Sequence, residues 1–391
     1  MFYCEPTHAR LGWQRENRGP AVQSQLSFLG VLFIRILICW SRVSGYMAAC
    51  WKRLAAVPEM NLRVVAWSTN ANADQSAFAG SIVDGVNCRL LSTSERGDGQ
   101  IIQDEIAEFQ PDVVVIPGWM SDAYTTSILK LQKNGPAVVM GMDTPWTGGA
   151  RQYLTRWRFN ALFRRVDRVV VAGERAWQYA RWLGFAETQI SRVLYAWDES
   201  SFGSDSHLPR RTNLPKSFVF VGRLAEEKGI RTLLKAYQEY RETASVPWTL
   251  TMCGTGPLSS LIQGDGIECH GFVQPSELPS VFENASVMVL PSHYEPWGVA
   301  LAESMGAGLP VIASEACGAA VDLVRPYWNG LLVPTRCESA LADALLWFHN
   351  HTERLPEMGM NARQSAEPFS ASNWAVRWNE MFRAIAQRNA A

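Results

Sequence analysis

Twice along this chain, short unbroken apolar runs alternate with stretches of helical period, and a polar interval separates the two series. The first series predicts strands at 62–67, 112–117, 137–142 and 166–172, with helical periodicity at 100–109 and 125–133. The second predicts strands at 217–221, 248–252, 267–269, 287–290 and 311–313, with a helix at 229–242 after the first of them. Strands apolar at every position are buried on both faces, and alternation with helices makes them parallel. The expected fold class is therefore α/β, with two doubly wound, Rossmann-like domains facing across a cleft. Ligands of such sheets bind outside the carboxyl ends of the strands, so the cleft is the expected site.

The polar interval fixes the domain limits. Residues 60–205 are expected to form an N-terminal domain, 206–216 a linker and 217–368 a C-terminal domain. Residues 369–391 are expected to form a helix that packs back on the N-terminal domain. A chain of 391 residues suits two cores better than one. Residues 1–59 read as a leader. Within it, 26–40 is a fifteen-residue apolar run broken by Arg35, and a membrane span needs about 20 residues. No small-residue cleavage signal follows the run. Two readings stay open: a weakly membrane-associated segment, or a stretch outside the fold with the native start at Met60 or Met47.

Composition narrows the function classes. Basic and acidic residues nearly cancel, 36 against 37, so a nucleic-acid partner is not expected. Eight cysteines occur without C-x-x-C spacing or a zinc pattern. They read as small buried hydrophobes of a reducing, cytoplasmic compartment.

Two segments carry chemistry. The first is FVFVGRLAEEKGI, where Gly222 ends a strand and permits close backbone approach. Arg223 and Lys228 flank the turn, and Lys228 opens the next helix. A diphosphate is favoured near two cations and a helix N-terminus, although two surface residues of an ordinary strand–helix loop would look the same. The second is LPSHYEPWGVALAESMGAGLPVIAS. A strand ends at Pro291, a loop carries Glu295, Pro296, Trp297 and Gly298, and a helix begins near Gly298. Glu303 then falls in the second turn, where a carboxylate can accept two hydrogen bonds from a ribose diol. The amides of Gly298 and Val299 lack intrahelical partners and can bind phosphate. A capping acid and a solvated helix glutamate are the plainer alternative.

Together these segments resemble the family 4 glycosyltransferases. The family's E-x7-E pattern matches Glu295 to Glu303, and its GRL–x–x–EKG motif matches Gly222 to Gly229. Its G-x-P-V-[IV]-A-S stretch matches Gly308 to Ser314, and His270-Gly271-Phe272-Val273 and Gly330-Leu331-Leu332-Val333 match further. The likeness is strong over 217–350, and Tyr195-Ala196-Trp197-Asp198 resembles the family's domain junction.

The resemblance implies the GT-B fold and retaining transfer of a sugar from a sugar nucleotide to a carbohydrate or lipid-linked hydroxyl. It implies that Arg223 and Lys228 neutralise the donor diphosphate and that Glu295 holds donor-sugar hydroxyls. It further implies that Glu303 binds the ribose, that Gly298 and Val299 grip the distal phosphate, and that Gly271 to Val273 contact the base. Pro296 and Trp297 fall in the same donor loop. No cofactor and no metal site is expected, and no D-x-D motif occurs.

The N-terminal half departs from the pattern. A glycine-rich loop is expected after the first strand, and that place reads STNANADQSAFAG. Met142 stands where a histidine is expected, leaving Asp143 as the acceptor-side candidate. Segment 151–165 mixes five arginines with aromatic and aliphatic residues. It reads either as an ordinary covering helix or as a basic amphipathic helix making peripheral contact with the inner membrane surface. Two other functions stay open on the same architecture. A sugar-nucleotide epimerase would need further acid–base groups in the cleft, and a non-catalytic nucleotide-sugar binder would fit the altered loop.

Overall fold

The computed structural model describes residues 33–68, 80–202 and 214–390. The N-terminal sheet has seven parallel strands: β1 (Ile34–Trp40), β2 (Met60–Trp67), β3 (Cys88–Leu91), β4 (Val113–Ile116), β5 (Ala137–Met142), β6 (Arg168–Val171) and β7 (Ile190–Arg192). Their order is β3-β2-β1-β4-β5-β6-β7.

The sequence reading that began this fold at Met60 is corrected by β1. This strand lies inside the sheet, paired with β2 from Ile34–Met60 to Trp40–Ala66 and with β4 on its other side. Ile34, Ile36, Ile38 and Trp40 enter the core on one face, while Leu37 and Cys39 enter it on the other. A strand buried on both faces is apolar throughout, so its sequence looks like part of a membrane segment. Arg35, which breaks the run, sits at the strand's start and pairs with Asp112 at 3.3 Å. The helix Gly45–Ala55 follows, with Trp51 and Leu54 fully buried. Residues 34–59 thus belong to the domain. The rest of the leader, the loop at 69–79 and most of the expected linker lie outside the described residues.

The C-terminal sheet has six parallel strands: β8 (Ser217–Val221), β9 (Thr249–Cys253), β10 (Ile267–Gly271), β11 (Val287–Leu290), β12 (Val311–Ser314) and β13 (Gly330–Val333). Their order is β10-β9-β8-β11-β12-β13, the pattern of the first sheet with one strand fewer.

Among the described residues, the domains meet at several places. Trp197 is fully buried at the junction. Its backbone N–H donates to Phe369 O at 3.0 Å and its indole N–H to Ala366 O at 2.8 Å. The helix Ala371–Ala390 then returns to the N-terminal domain, packing against Gly45–Ala55. The indoles of Trp374 and Trp378 donate to Leu194 O and Val193 O at 3.0 and 3.2 Å. Elsewhere, Asp322 of the C-terminal domain caps the helix Glu174–Leu183 of the other. Its carboxylate accepts from Glu174 N–H at 3.1 Å, where Gly173 offers no side-chain cap. Among the described residues, no helix is long and apolar enough to cross a membrane.

Candidate active site between the two sheets

In each sheet the strand order reverses beside its first strand, between β1 and β4 and between β8 and β11. Loops leave such a point in opposite directions and open a crevice. In the C-terminal domain the two loops are 222–229 and 291–298, the two segments that carried chemistry in the sequence.

The loops interlock through their backbones. His293 N–H and Tyr294 N–H both donate to Glu227 O, at 2.8 and 3.0 Å. Gly229 has φ 70°, and a Cβ there would lie 2.1 Å from Pro291 O. Only glycine lets the chain turn this way and approach so closely. Lys228, just before it, donates from Nζ to Glu295 Oε2 across the gap. Both side chains are largely buried, 19% and 11% exposed. Arg223 is more open and pairs with Glu227. Burial pushes the Glu227 carboxyl up, but its own N–H, Arg223 and Lys228 outweigh that and hold it below the usual range.

Beside these loops lies a cavity of about 500 Å³, walled by Gly222, Arg223, Val273, Val299 and Glu303. Arg42 and Tyr46 close it from the N-terminal domain, so the cavity lies in the interdomain cleft. A Cβ on Gly45 would stand 2.5 Å from the Pro275 ring, which shows how closely the domains approach there. Burial raises the Glu303 carboxyl to about 7, with the Asp198 charge adding to it. Burial likewise pushes the Tyr46 hydroxyl up to about 12, helped by Asp143, Glu303 and Glu295. Tyr46 therefore stays a neutral donor amid three carboxyl groups at ordinary pH.

On the acceptor side Asp143 follows β5 and accepts from Tyr195 Oη at 2.9 Å. Burial raises its carboxyl above the usual range. The Tyr46 ring stands edge-on to Tyr195, centroids 5.5 Å apart. Tyr46 and Tyr195 thus link Asp143 to the cavity wall.

Residues 209–365 match the model of the glycosyl transferases group 1 family. The C-terminal half is thus similar to a group 1 glycosyltransferase domain. An uncharacterized glycosyltransferase of Methanocaldococcus jannaschii is 30% identical over 135 residues. That match covers 32% of this chain and spans 34% of the length of its relative. Sucrose-phosphate synthase from Thermosynechococcus elongatus superposes with TM-score 0.69 at 20% identity, over 90% of this chain and 99% of its own. HepE of Anabaena, solved in complex with UDP and glucose, superposes with TM-score 0.67 at 15% identity, over 90% of this chain and 100% of its own. The fold is GT-B, two Rossmann-like domains with a cleft between them.

Within the C-terminal domain, the residues singled out from sequence do not all share one surface. Gly222, Arg223, Val273, Val299 and Glu303 line the cavity, and Lys228 and Glu295 pair in the adjoining loops. Gly271 supports the wall, its carbonyl accepting Gly254 N–H at 2.6 Å. Gly298 is the N-cap of the helix Val299–Gly306, with φ 103°. Its missing side chain leaves room for Cys317 Sγ, which would lie 2.8 Å from a Cβ.

Trp297 is placed elsewhere. Its ring is buried against Phe369, and a Cβ on Gly173 would meet it at 2.3 Å. It therefore fastens the domains together and is not among the residues that line the cavity. Pro296 turns its carbonyl toward Gly318, where a Cβ would lie 2.0 Å away. Sequence reasoning missed Arg42, in the loop after β1, and Tyr46, in the helix Gly45–Ala55, because that whole stretch was assigned to a leader. It also missed Gly254, Thr255 and Gly256, although a G-x-G after an apolar run was a usable signal.

Proposed function

We propose that the protein moves a sugar from a nucleoside-diphosphate sugar to a hydroxyl acceptor, with retention of anomeric configuration. One observation carries this reading: Arg223 and Glu303 line a single interdomain cavity while Lys228 meets Glu295 in the interlocked loops beside it. The donor enters with its base against Phe272 and Val273 and its ribose diol on Glu303. Its diphosphate lies near Arg223, Lys228 and the amides of Gly298 and Val299, where a helix N-terminus favours anions. Glu295 accepts hydrogen bonds from the sugar hydroxyls.

In the transfer step the acceptor oxygen bonds to the anomeric carbon as the bond from that carbon to the phosphate oxygen breaks. Both events occur on one face, and the departing phosphate oxygen takes the acceptor proton. Negative charge grows on the leaving diphosphate, and Arg223 and Lys228 stabilise it in place of a metal ion. Such preorganised charge is commonly the largest catalytic contribution. Asp143, held by Tyr195, and the Tyr46 hydroxyl orient a carbohydrate or lipid-linked acceptor. The GT-B neighbour solved with UDP and glucose supports a nucleoside-diphosphate donor.

The test is incubation with a panel of sugar nucleotides in the presence of a chelator, followed by assay of free nucleoside diphosphate. Steady release that disappears in Lys228→Ala supports transfer. An epimerised donor, or binding with no release, rejects it.

A further inference from the structure

We infer that the helix Ala150–Arg158 is a docking surface for an anionic lipid bilayer. None of its residues is buried. Around its axis, Gln152, Tyr153 and Arg156 face the protein. Gln152 bonds Pro145 O at 2.7 Å, Tyr153 packs on Trp146 and Trp182, and Arg156 reaches Trp182 O. Leu154 and Trp157 are 67% and 80% exposed, and Arg151 and Arg158 share the Leu154 side of the helix. Two large apolar side chains are thus left in solvent, which a helix that only covers a sheet would bury.

A second apolar residue group adjoins the helix. Met120 is 87% exposed and follows Trp119, whose ring packs on Phe159 and Phe163 at 6.3 and 5.6 Å. Charge selects the partner. Arg151, Arg156, Arg158, Arg164 and Arg165 lie within 150–166, which contains no acidic residue. Among the described residues, Arg151 and Arg164 have no ion-pair partner. A tryptophan and a leucine between guanidinium groups match the boundary between headgroups and acyl chains of an anionic bilayer. The segment 144–149 is all that separates this helix from Asp143, so docking brings the lipid surface to the acceptor side of the cleft. In that respect the inference rests on the transferase reading and narrows its acceptor to a lipid-linked one.

The experiment is flotation of the full chain with vesicles of phosphatidylcholine alone or with 30% phosphatidylglycerol (about that share). Binding is expected only to the anionic vesicles and weakened by salt. Leu154→Ser with Trp157→Ser, and separately Arg151→Glu with Arg158→Glu, should each lower it at least about tenfold. Release of nucleoside diphosphate from soluble donor should stay unchanged in both variants, which separates failure of the surface from failure of the transferase reading. Equal binding to both vesicle types, binding unaffected by either double variant, or concentration-dependent self-association lost in the serine variant would overturn the inference.

Discussion

Lys228 and Glu295 are 67 residues apart in sequence, and the lysine Nζ donates to the glutamate Oε2 across the switch point of the C-terminal sheet. The contact joins the loop after β8 to the loop after β11. It forms because Gly229 lets the first loop turn against Pro291, and because two amides of the second loop close on Glu227 O. On the proposed reading, a donor diphosphate arriving here would meet a cation already held in place.

Lys228→Met leaves Glu295 short of its partner in a mostly buried setting. Expected are a loss of about 1–3 kcal/mol of stability and a fall in donor turnover of at least about a hundredfold. Adding Glu295→Gln should restore much of the stability and none of the turnover. Urea unfolding and nucleoside diphosphate release measure the two effects separately.

Glu303 gives the site a pH dependence. Its carboxyl is raised from 4.5 to about 7, and on the proposed reading only the ionised form would accept both ribose hydrogen bonds. Donor KM should therefore rise as pH falls below about 7, approaching tenfold per unit. Stability of the unliganded protein runs the other way. The folded state holds a proton that the unfolded state has lost between 4.5 and about 7, so stability falls as pH rises through that window. Glu303→Gln should flatten both profiles, as donor kinetics and thermal unfolding across pH will show.

A chain beginning at Met60 lacks β1 and the helix Gly45–Ala55. It should fail to fold cooperatively, because removing an inner strand exposes both its neighbours and strips Arg42 and Tyr46 from the cavity. Circular dichroism on heating checks this. A chain beginning at residue 33 should keep a single sharp transition.

Asp322 caps a helix of the opposite domain, so its loss should loosen the cleft as well as the helix. Asp322→Ala should cost about 1 kcal/mol, and Asp322→Asn, which keeps an acceptor, should cost less. Proteolysis of the native protein should quicken in the alanine variant.

The C-terminal domain was legible in sequence because each of its signals is local. β8 and β11 appear as unbroken apolar runs with the bounds the structure gives them, and the charged loops follow them directly. Where the signal was non-local, reading failed. β1 is apolar on both faces and carries no mark that distinguishes a sheet strand from a leader. β7 is three residues long at a sheet edge, too short for a periodic pattern. Trp297 lies in the donor loop by sequence, yet its ring is claimed by Gly173 and Phe369, contacts set only by the docking of the two domains. Tyr195 stood in the junction motif, and nothing in the sequence announced its bond to Asp143.

The central claim is that a diphosphate lies between the cations at 223–228 and the helix entrance near Gly298. A crystal structure with bound nucleoside diphosphate tests it most directly. The account predicts phosphate oxygens within about 3.5 Å of Arg223, Lys228 and the Val299 amide, with the ribose on Glu303. A nucleotide seated elsewhere, with the Lys228–Glu295 contact untouched and the cavity empty, would contradict it.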